Sequence, residues 1–261
     1  IGRGRGGRRP VPLLAVIGGC GGAGASTLAV SLAVAALNTG RRVILFDADP
    51  LGGGLESLVA LGTVAGPSGG PVQEQWPHDP EPARPALSRR NRRLEPDLAL
   101  VTWEGHEGER IPVASMRDAL RVLRSTTELV VVDLPRVIDD ATQLVLSEAT
   151  HTLVVAPVSE RAVVATARLL PRLTMVGPRP QLVAWMPGRD DLTPREFAEI
   201  LEAPLAGVIR PGRNRMPKRA PYLQLGGRSA ASLASFSRRV IERCELGSAA
   251  SDTVRMPRVT R

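Results

Sequence analysis

Gly19-Cys20-Gly21-Gly22-Ala23-Gly24-Ala25-Ser26-Thr27 lies between an apolar run, Val11–Ile17, and an Ala/Leu/Val-rich segment, Thr27–Leu37. The glycine spacing and the two closing hydroxyls match the phosphate-binding pattern G-x-x-x-x-G-K-[ST], except that Ala25 stands in the lysine position. In that pattern, glycines allow backbone N–H groups to face a phosphate at the start of a helix, and the lysine adds a point charge. The order of strand, loop and helix therefore predicts a phosphate cradle without its usual cation.

Lysine is almost absent from the chain. Lys218 is the only lysine among the 34 basic residues, so no neighbouring lysine can replace the missing one. Either an arginine supplies the charge, or the chain has given up catalysis.

The composition favours a single α/β domain. The chain has 261 residues, of which 43% are hydrophobic and only 3% aromatic, so its core must consist of aliphatic side chains. Such cores are typical of parallel sheets covered by helices. Two cysteines and three scattered histidines indicate neither a disulfide framework nor a metal cluster, which favours a reduced cytoplasmic protein. No apolar run approaches the ~20 residues of a transmembrane helix.

The chain divides into one domain with two short flanks. We interpret residues 1–10 as a Gly/Arg-rich linker or tail, 11–245 as the domain, and 246–261 as a flexible tail. Because the chain opens with a linker-like stretch at Ile1, we expect a further domain upstream. Residues 62–96 are rich in Pro, Gly and Arg and predict a long, mostly irregular excursion.

Apolar runs alternate with helical patterns along the rest of the chain. This βαβα order predicts a doubly wound, mainly parallel sheet with helices on both faces. The predicted strands are Val11–Ile17, Arg42–Phe46, Leu98–Thr102, Glu128–Asp133, Thr152–Pro157, Gln181–Met186 and Leu205–Ile209. The predicted helices are Thr27–Leu37, Pro112–Arg124, Ile138–Ala149, Glu160–Leu173, Pro194–Leu201 and Ala230–Arg243.

Acidic residues lie at the carboxyl ends of two predicted strands, Arg42–Phe46 and Glu128–Asp133. Asp47 and Asp49 come at the end of one, Asp133 ends the other, and Ser26 opens the first helix. Ligands of open α/β sheets bind at the carboxyl ends of the strands, so these side chains are expected to converge there. Their oxygens suit Mg²⁺ and its bound waters beside a phosphate. Asp47 has a second interpretation, since an acid at a strand end often caps the next turn.

Three motifs resemble those of the MinD/ParA family of P-loop proteins. Its deviant Walker A sequence, K-G-G-x-G-K-[ST], aligns with Cys20–Ser26. Phe46–Gly53 is similar to the family's D-x-D-P switch segment, and Val130–Arg136 to its Walker B strand. Together with the strand Leu100-Val101-Thr102-Trp103, the lysine-free loop is most similar to the actinobacterial CpaE/TadZ-like, septum-site-determining-like branch. The resemblance extends from about Val11 to Cys244.

The resemblance implies binding of ATP and Mg²⁺ in a protein that controls position. The nucleotide would lie on Gly21, Gly22, Ala23, Gly24, Ala25, Ser26 and Thr27. Ser26, Asp133 and Asp47 would form the Mg²⁺ site, and Asp49 would position the attacking water. The implied partners are a second copy in a homodimer, a pilus or secretion ATPase, division proteins and an upstream receiver-like domain. The implied location is cytoplasmic, with recruitment to the cell pole, the septum or the inner membrane face.

This chain departs from the family pattern where the pattern carries charge. Both family lysines are absent, at Cys20 and Ala25, and Trp185–Arg189 has no asparagine to recognise adenine. Phosphoryl transfer depends on electrostatic stabilisation, so we expect a positioning or scaffolding protein for Flp-type pilus or secretion machinery, or for septum placement, with little or no ATP hydrolysis. Cys20 is either a small residue tolerated in a tight loop or a reactive thiol at a helix N-terminus.

Two alternatives stay open. The chain is an active ATPase if an arginine such as Arg136, Arg161 or Arg189 replaces the lysine. It is a non-specific DNA-binding protein of the ParA type if the basic segment Arg210–Arg219 contacts phosphates, although no aromatic side chains interleave with that segment to stack bases. Steep salt dependence of DNA affinity would distinguish the DNA-binding alternative.

Overall fold

Eight strands and six helices lie within the residues that the computed structural model describes, which are 10–49, 55, 58, 92–95, 97–103, 110–186, 192–210 and 231–247. The strands are β1 (Leu13–Gly18), β2 (Val43–Asp47), β3 (Arg92–Glu95), β4 (Leu98–Thr102), β5 (Leu129–Leu134), β6 (His151–Pro157), β7 (Gln181–Trp185) and β8 (Leu205–Ile209). The helices are α1 (Ala25–Leu37), α2 (Val113–Thr126), α3 (Asp140–Glu148), α4 (Glu160–Thr174), α5 (Pro194–Ile200) and α6 (Ala231–Gly247).

These strands form one sheet in the order β3-β4-β2-β5-β1-β6-β7-β8. Seven of them run parallel, and β3 alone pairs antiparallel with its neighbour β4. Chain order and spatial order differ on both sides of β1, which is the arrangement of a doubly wound sheet. The predicted fold class is confirmed.

The core has two apolar layers, one on each face of the sheet. Strand β1 is buried along its whole length, and its side chains alternate between the layers. Leu13, Ala15 and Ile17 pack in the layer under α2, α3, α4 and α5, whereas Leu14 and Val16 pack in the layer under α1 and α6. Burial on both faces explains why the central strands are continuous aliphatic runs.

A short strand lies at the end of the segment that the sequence predicts to be mostly irregular. Arg92–Glu95 forms β3, which pairs with β4 and shifts register between Arg93 and Glu95. The four residues have no apolar alternation, so the hydrophobic pattern does not indicate a strand. An edge strand needs only one hydrogen-bonded neighbour, and charged residues are common at such edges. Residues 62–91 of the excursion lie outside the described residues.

The two flanks lie mostly outside the described residues. Residues 1–9 and 248–261 are not described, and α6 continues through Leu246 and Gly247. Among the helices that are described, none combines the length and the apolar character needed to cross a membrane.

Candidate functional site

The glycine loop connects β1 to α1 at the carboxyl edge of the sheet. Gly22 and Gly24 have φ angles of 69° and 89°, in the left-handed region that favours glycine. Gly24 is the N-cap of α1 and offers no side chain to the first-turn amides, and that turn contains no acidic residue. The start of α1 therefore has backbone donors without a side-chain acceptor, which suits an anionic ligand.

Gly19 permits a close approach between the loop and α4. Its amide donates to the Val155 carbonyl at 2.7 Å. A Cβ at this position would overlap Oγ1 of Thr166 and would lie 3.0 Å from Cβ of Ala156. Thr166 is completely buried, and its hydroxyl has no hydrogen-bond partner among the described residues. The sequence motif identifies Gly19, but no sequence signal indicates that Thr166 supports the loop.

Gly21 is exposed and has open space where Gly19 has none. The nearest atom to a Cβ on Gly21 would be Nη1 of Arg136, at 3.8 Å. Arg136 lies on the turn between β5 and α3, so a guanidinium from another part of the chain reaches the glycine loop. Of the other two arginines proposed as lysine replacements, Arg161 is exposed in the first turn of α4 and Arg189 lies outside the described residues.

Two acids are buried side by side next to this loop. Asp47 and Asp133 are register partners on the neighbouring strands β2 and β5, and their exposed fractions are 6% and 4%. The amide of Ala48 donates to the Asp133 carbonyl at 3.0 Å, which holds the two strand ends together. The structure thus places both acids at the edge that the sequence predicts.

Asp47 supports the turn that follows β2. Its Oδ1 accepts from the Asp49 amide at 3.2 Å, and its Oδ2 accepts from the Leu55 amide at 2.8 Å. Both carboxylate oxygens therefore bind backbone donors, as the turn-capping interpretation predicts. A carboxylate held in this way contributes negative charge to the site even where it does not contact a ligand.

Asp133 has the most perturbed carboxyl group of the site. Burial raises the pKa of Asp133 from its ordinary value of 3.8 to about 7, and the negative charges of Asp47 and Asp49 act in the same direction. A hydrogen bond from the Ser26 hydroxyl lowers this pKa and partly opposes the effect of burial. The structure therefore brings Ser26, Asp47, Asp49 and Asp133 together. Ala25, Ser26 and Thr27 open α1 and are half-buried.

The oxygen atoms present fit Mg²⁺ in one particular way. Within the described part of the chain, no three His, Cys, Asp or Glu side chains are arranged to hold a metal ion. Mg²⁺ is usually held by few protein oxygens and keeps several waters and phosphate ligands. The Ser26 hydroxyl beside the buried Asp133 carboxylate fits such a site, with the remaining ligands supplied by a phosphate and water.

The sheet order, the glycine loop and the acids at the strand ends define an α/β P-loop type of nucleotide-binding fold. Residues 14–177 match the family model of the CobQ/CobB/MinD/ParA nucleotide-binding domain. The chain belongs to this family.

A relative in sequence comes from Mycobacterium tuberculosis. An uncharacterised protein of strain H37Rv is 36% identical over 242 residues, which covers 88% of this chain, and a protein of strain CDC 1551 matches to the same extent. The match covers 63% of the length of these relatives, so each of them contains a substantial further part.

Solved structures of three proteins share the fold at low sequence identity. A ParA family ATPase from Chlorobium tepidum is 14% identical with a TM-score of 0.69, covering 87% of this chain and 98% of its own. The septum site-determining protein MinD of Pyrococcus horikoshii, solved with Mg-ADP, is 14% identical with a TM-score of 0.65, covering 92% and 99%. MinD of Aquifex aeolicus is 16% identical with a TM-score of 0.64, covering 89% and 98%.

Proposed function

We propose that this chain is a MinD/ParA-type positioning or scaffolding protein that binds ATP or ADP with Mg²⁺ and hydrolyses ATP slowly or not at all. One observation carries the proposal. The loop has the glycine geometry for phosphate and lies beside the half-buried Ser26 hydroxyl and the buried Asp133 carboxyl, yet Ala25 stands where the lysine is expected. The acidic half of the site is present and the cationic half of the loop is not.

The missing charge should affect catalysis more than binding. Backbone amides at the start of α1 can stabilise a bound polyphosphate. Hydrolysis also requires stabilisation of the charge that develops in the transition state, and a single cationic group can change its rate by a factor of about 10³–10⁵. We therefore expect nucleotide binding to persist while turnover is negligible.

Each residue of the site has a proposed role. Backbone groups of Gly21–Thr27 bind the phosphates, and the Ser26 hydroxyl ligates Mg²⁺. Asp133 holds the ion through water, and Asp47 adds negative charge while it supports the β2 turn. Asp49 orients the water that would attack in any residual hydrolysis. When bound, Mg²⁺ neutralises phosphate charge.

Calorimetric titration of the purified chain with ATP and ADP, with and without Mg²⁺, tests the binding proposal. We expect measurable affinity for both nucleotides that increases with Mg²⁺, and no ATP turnover above background. Absence of binding under all four conditions would contradict the proposal. Turnover at the rate of an active P-loop ATPase would overturn its non-enzymatic part.

A pair of serine variants locates the Mg²⁺ contribution. Ser26→Ala removes the hydroxyl that hydrogen-bonds Asp133 and should abolish most of the increase in affinity that Mg²⁺ brings. Ser147→Ala is the matched control, because its hydroxyl is exposed on α3 and donates to the Leu144 carbonyl at 2.8 Å, away from the glycine loop. Equal responses of the two variants to Mg²⁺ would remove Ser26 from the site.

The second function supported by a specific observation is an active ATPase that uses an arginine. Nη1 of Arg136 would lie 3.8 Å from a Cβ added to Gly21, so the guanidinium is close enough to contact a phosphate held by the loop. This alternative predicts turnover that is lost in Asp49→Ala. The scaffolding proposal predicts that Asp49→Ala leaves an already negligible rate unchanged.

The positioning role rests on the resemblance to the CpaE/TadZ-like branch. We propose that a homodimer recruits pilus, secretion or division proteins, and that the basic segment Arg210–Arg219 contacts them. Arg213, Arg215 and Arg219 lie outside the described residues. Charge reversal at all three should abolish localisation of a fluorescent fusion in the native host. Normal localisation of that variant, lost instead when the glycine loop is disrupted, would show that nucleotide state controls placement.

A further inference from the structure

We infer that the guanidinium of Arg136 supplies, from within the same chain, the positive charge at the glycine loop that Ala25 does not provide. The inference deepens the proposed nucleotide site and rests on it. It assigns to one residue a direct contact with the β- or γ-phosphate. It concerns binding and holds whether or not ATP is hydrolysed.

The backbone around Arg136 is held on both sides. Leu134 and Ile138 are buried in the core beneath the turn between β5 and α3. The Thr142 hydroxyl donates to the Val137 carbonyl at 3.3 Å, and Asp139 caps α3 by accepting from the Thr142 amide at 2.9 Å. The turn is therefore fixed relative to the sheet, and Arg136 projects from a defined position.

The side chain of Arg136 is exposed and lies over the loop. A Cβ added to Gly21 would lie 3.8 Å from its Nη1, which is an ordinary contact distance without overlap. Within the described part of the chain, Arg136 forms no ion pair. The nearby carboxylate of Asp139 is used in the cap of α3. A guanidinium that is not neutralised by a carboxylate is available to an anion.

Guanidinium chemistry suits the ligand that the loop would hold. An arginine presents several N–H donors in a planar fork that matches two oxygens of one phosphate, and the charge-assisted bonds are stronger than neutral ones. The lysine that the phosphate-binding pattern places at position 25, in the first turn of α1, would act as a point charge from the helix side. Arg136 instead approaches from the β5 side, above the exposed glycines.

Titration with ADP and with inorganic tripolyphosphate in Mg²⁺-free buffer tests the assignment. We expect Arg136→Ala to weaken both affinities about tenfold or more, because one charge-assisted contact is lost. Arg136→Lys should retain part of the affinity, since the charge remains but the fork is lost. Thermal unfolding of each variant checks that the exposed substitution leaves the fold intact.

Arg172→Ala is the matched control. Arg172 is exposed in the last turn of α4, at the opposite edge of the sheet, so this variant changes the net charge equally without touching the loop. Equal losses in Arg136→Ala and Arg172→Ala, or no loss in either, would overturn the assignment while leaving the nucleotide site in place. Absence of ADP and tripolyphosphate binding by the unmodified chain would overturn both.

Discussion

The two halves of the site are built in opposite ways. On the strand side, Asp47 and Asp133 are buried carboxylates whose charges oppose each other. On the loop side, Gly21, Gly22 and Gly24 are exposed and uncharged, and the left-handed conformation of Gly22 and Gly24 depends on the absence of side chains. The loop geometry therefore does not require a lysine, whereas the acids raise the free energy of the folded chain unless a cation or a proton is present. The loop can therefore keep its geometry without a lysine, whereas the buried acids lower the stability of the folded chain whenever no cation or proton is bound.

The largest expected effect concerns the strand side of the site, where Asp133 makes the stability of the fold depend on pH. Because the pKa of Asp133 is raised in the folded state from 3.8 to about 7, protonation stabilises the folded form. This contribution is complete below about pH 4 and is lost as the pH rises to about 7, with an order of magnitude of about 4 kcal/mol. Asp133→Asn removes the titrating charge and can still accept from Ser26, so it should be more stable than the unmodified chain at alkaline pH.

Urea unfolding in Mg²⁺-free buffer measures this difference. The advantage of Asp133→Asn should grow between about pH 4 and about pH 7, level off above that and vanish at the acid end. Asp118→Asn is a suitable control, because Asp118 pairs with Arg121 on the surface of α2, at 2.8 Å, and lies outside the site. A constant difference between Asp133→Asn and the unmodified chain across this range would mean that burial does not perturb Asp133.

Sequence reasoning was accurate where one interaction dominates. The aliphatic strands are buried on both faces, so composition and length suffice to find β1, β2 and β5 within one or two residues. Asp47 and Asp133 lie at one edge of the sheet, as the sequence predicts, because parallel strands present their carboxyl ends at the same edge. In contrast, β3 depends on backbone pairing with β4, which leaves no hydrophobic pattern in Arg92–Glu95.

The sequence does not predict which residues from distant segments contact the glycine loop. Thr166 supports Gly19 from α4, and Arg136 reaches Gly21 from the β5 turn, although each pair is far apart along the chain. From the sequence alone, Arg136, Arg161 and Arg189 are equally possible replacements for the lysine. Only the packing of α3 and α4 against the sheet shows which side chains meet the loop.

The second effect sharpens the contrast within the loop itself. Gly19→Ala should lower the free energy of unfolding by about 1–3 kcal/mol, because its Cβ would overlap Thr166 and crowd Ala156. Gly21→Ala should change it by less than about 0.5 kcal/mol, since the site is open and its φ angle lies outside the left-handed region.

Chemical denaturation of both variants and of Gly19→Ala with Thr166→Ala tests this contrast. The double variant should recover part of the loss, because Thr166→Ala removes the overlapping hydroxyl, which forms no hydrogen bond within the part of the chain that the structure describes. Equal destabilisation by Gly19→Ala and Gly21→Ala would show that the loop needs glycine for chain conformation alone and that close packing on α4 is unimportant.

The smallest effect restores charge to the loop side. Ala25 is the first residue of α1 and half-buried, so Ala25→Lys places an ammonium at the position that the phosphate-binding pattern reserves for it. We expect tripolyphosphate affinity to rise about tenfold, while the ligand-free chain loses about 0.3–1 kcal/mol because a cation at a helix N-terminus opposes the helix dipole. Ala25→Met is the matched control of similar length without charge. The gain should be larger in the Arg136→Ala background than in the unmodified chain, since two cations on one phosphate partly replace each other. Equal affinities of Ala25→Lys and Ala25→Met would show that bound phosphate does not lie near the start of α1, and the cradle interpretation of the loop would then be wrong.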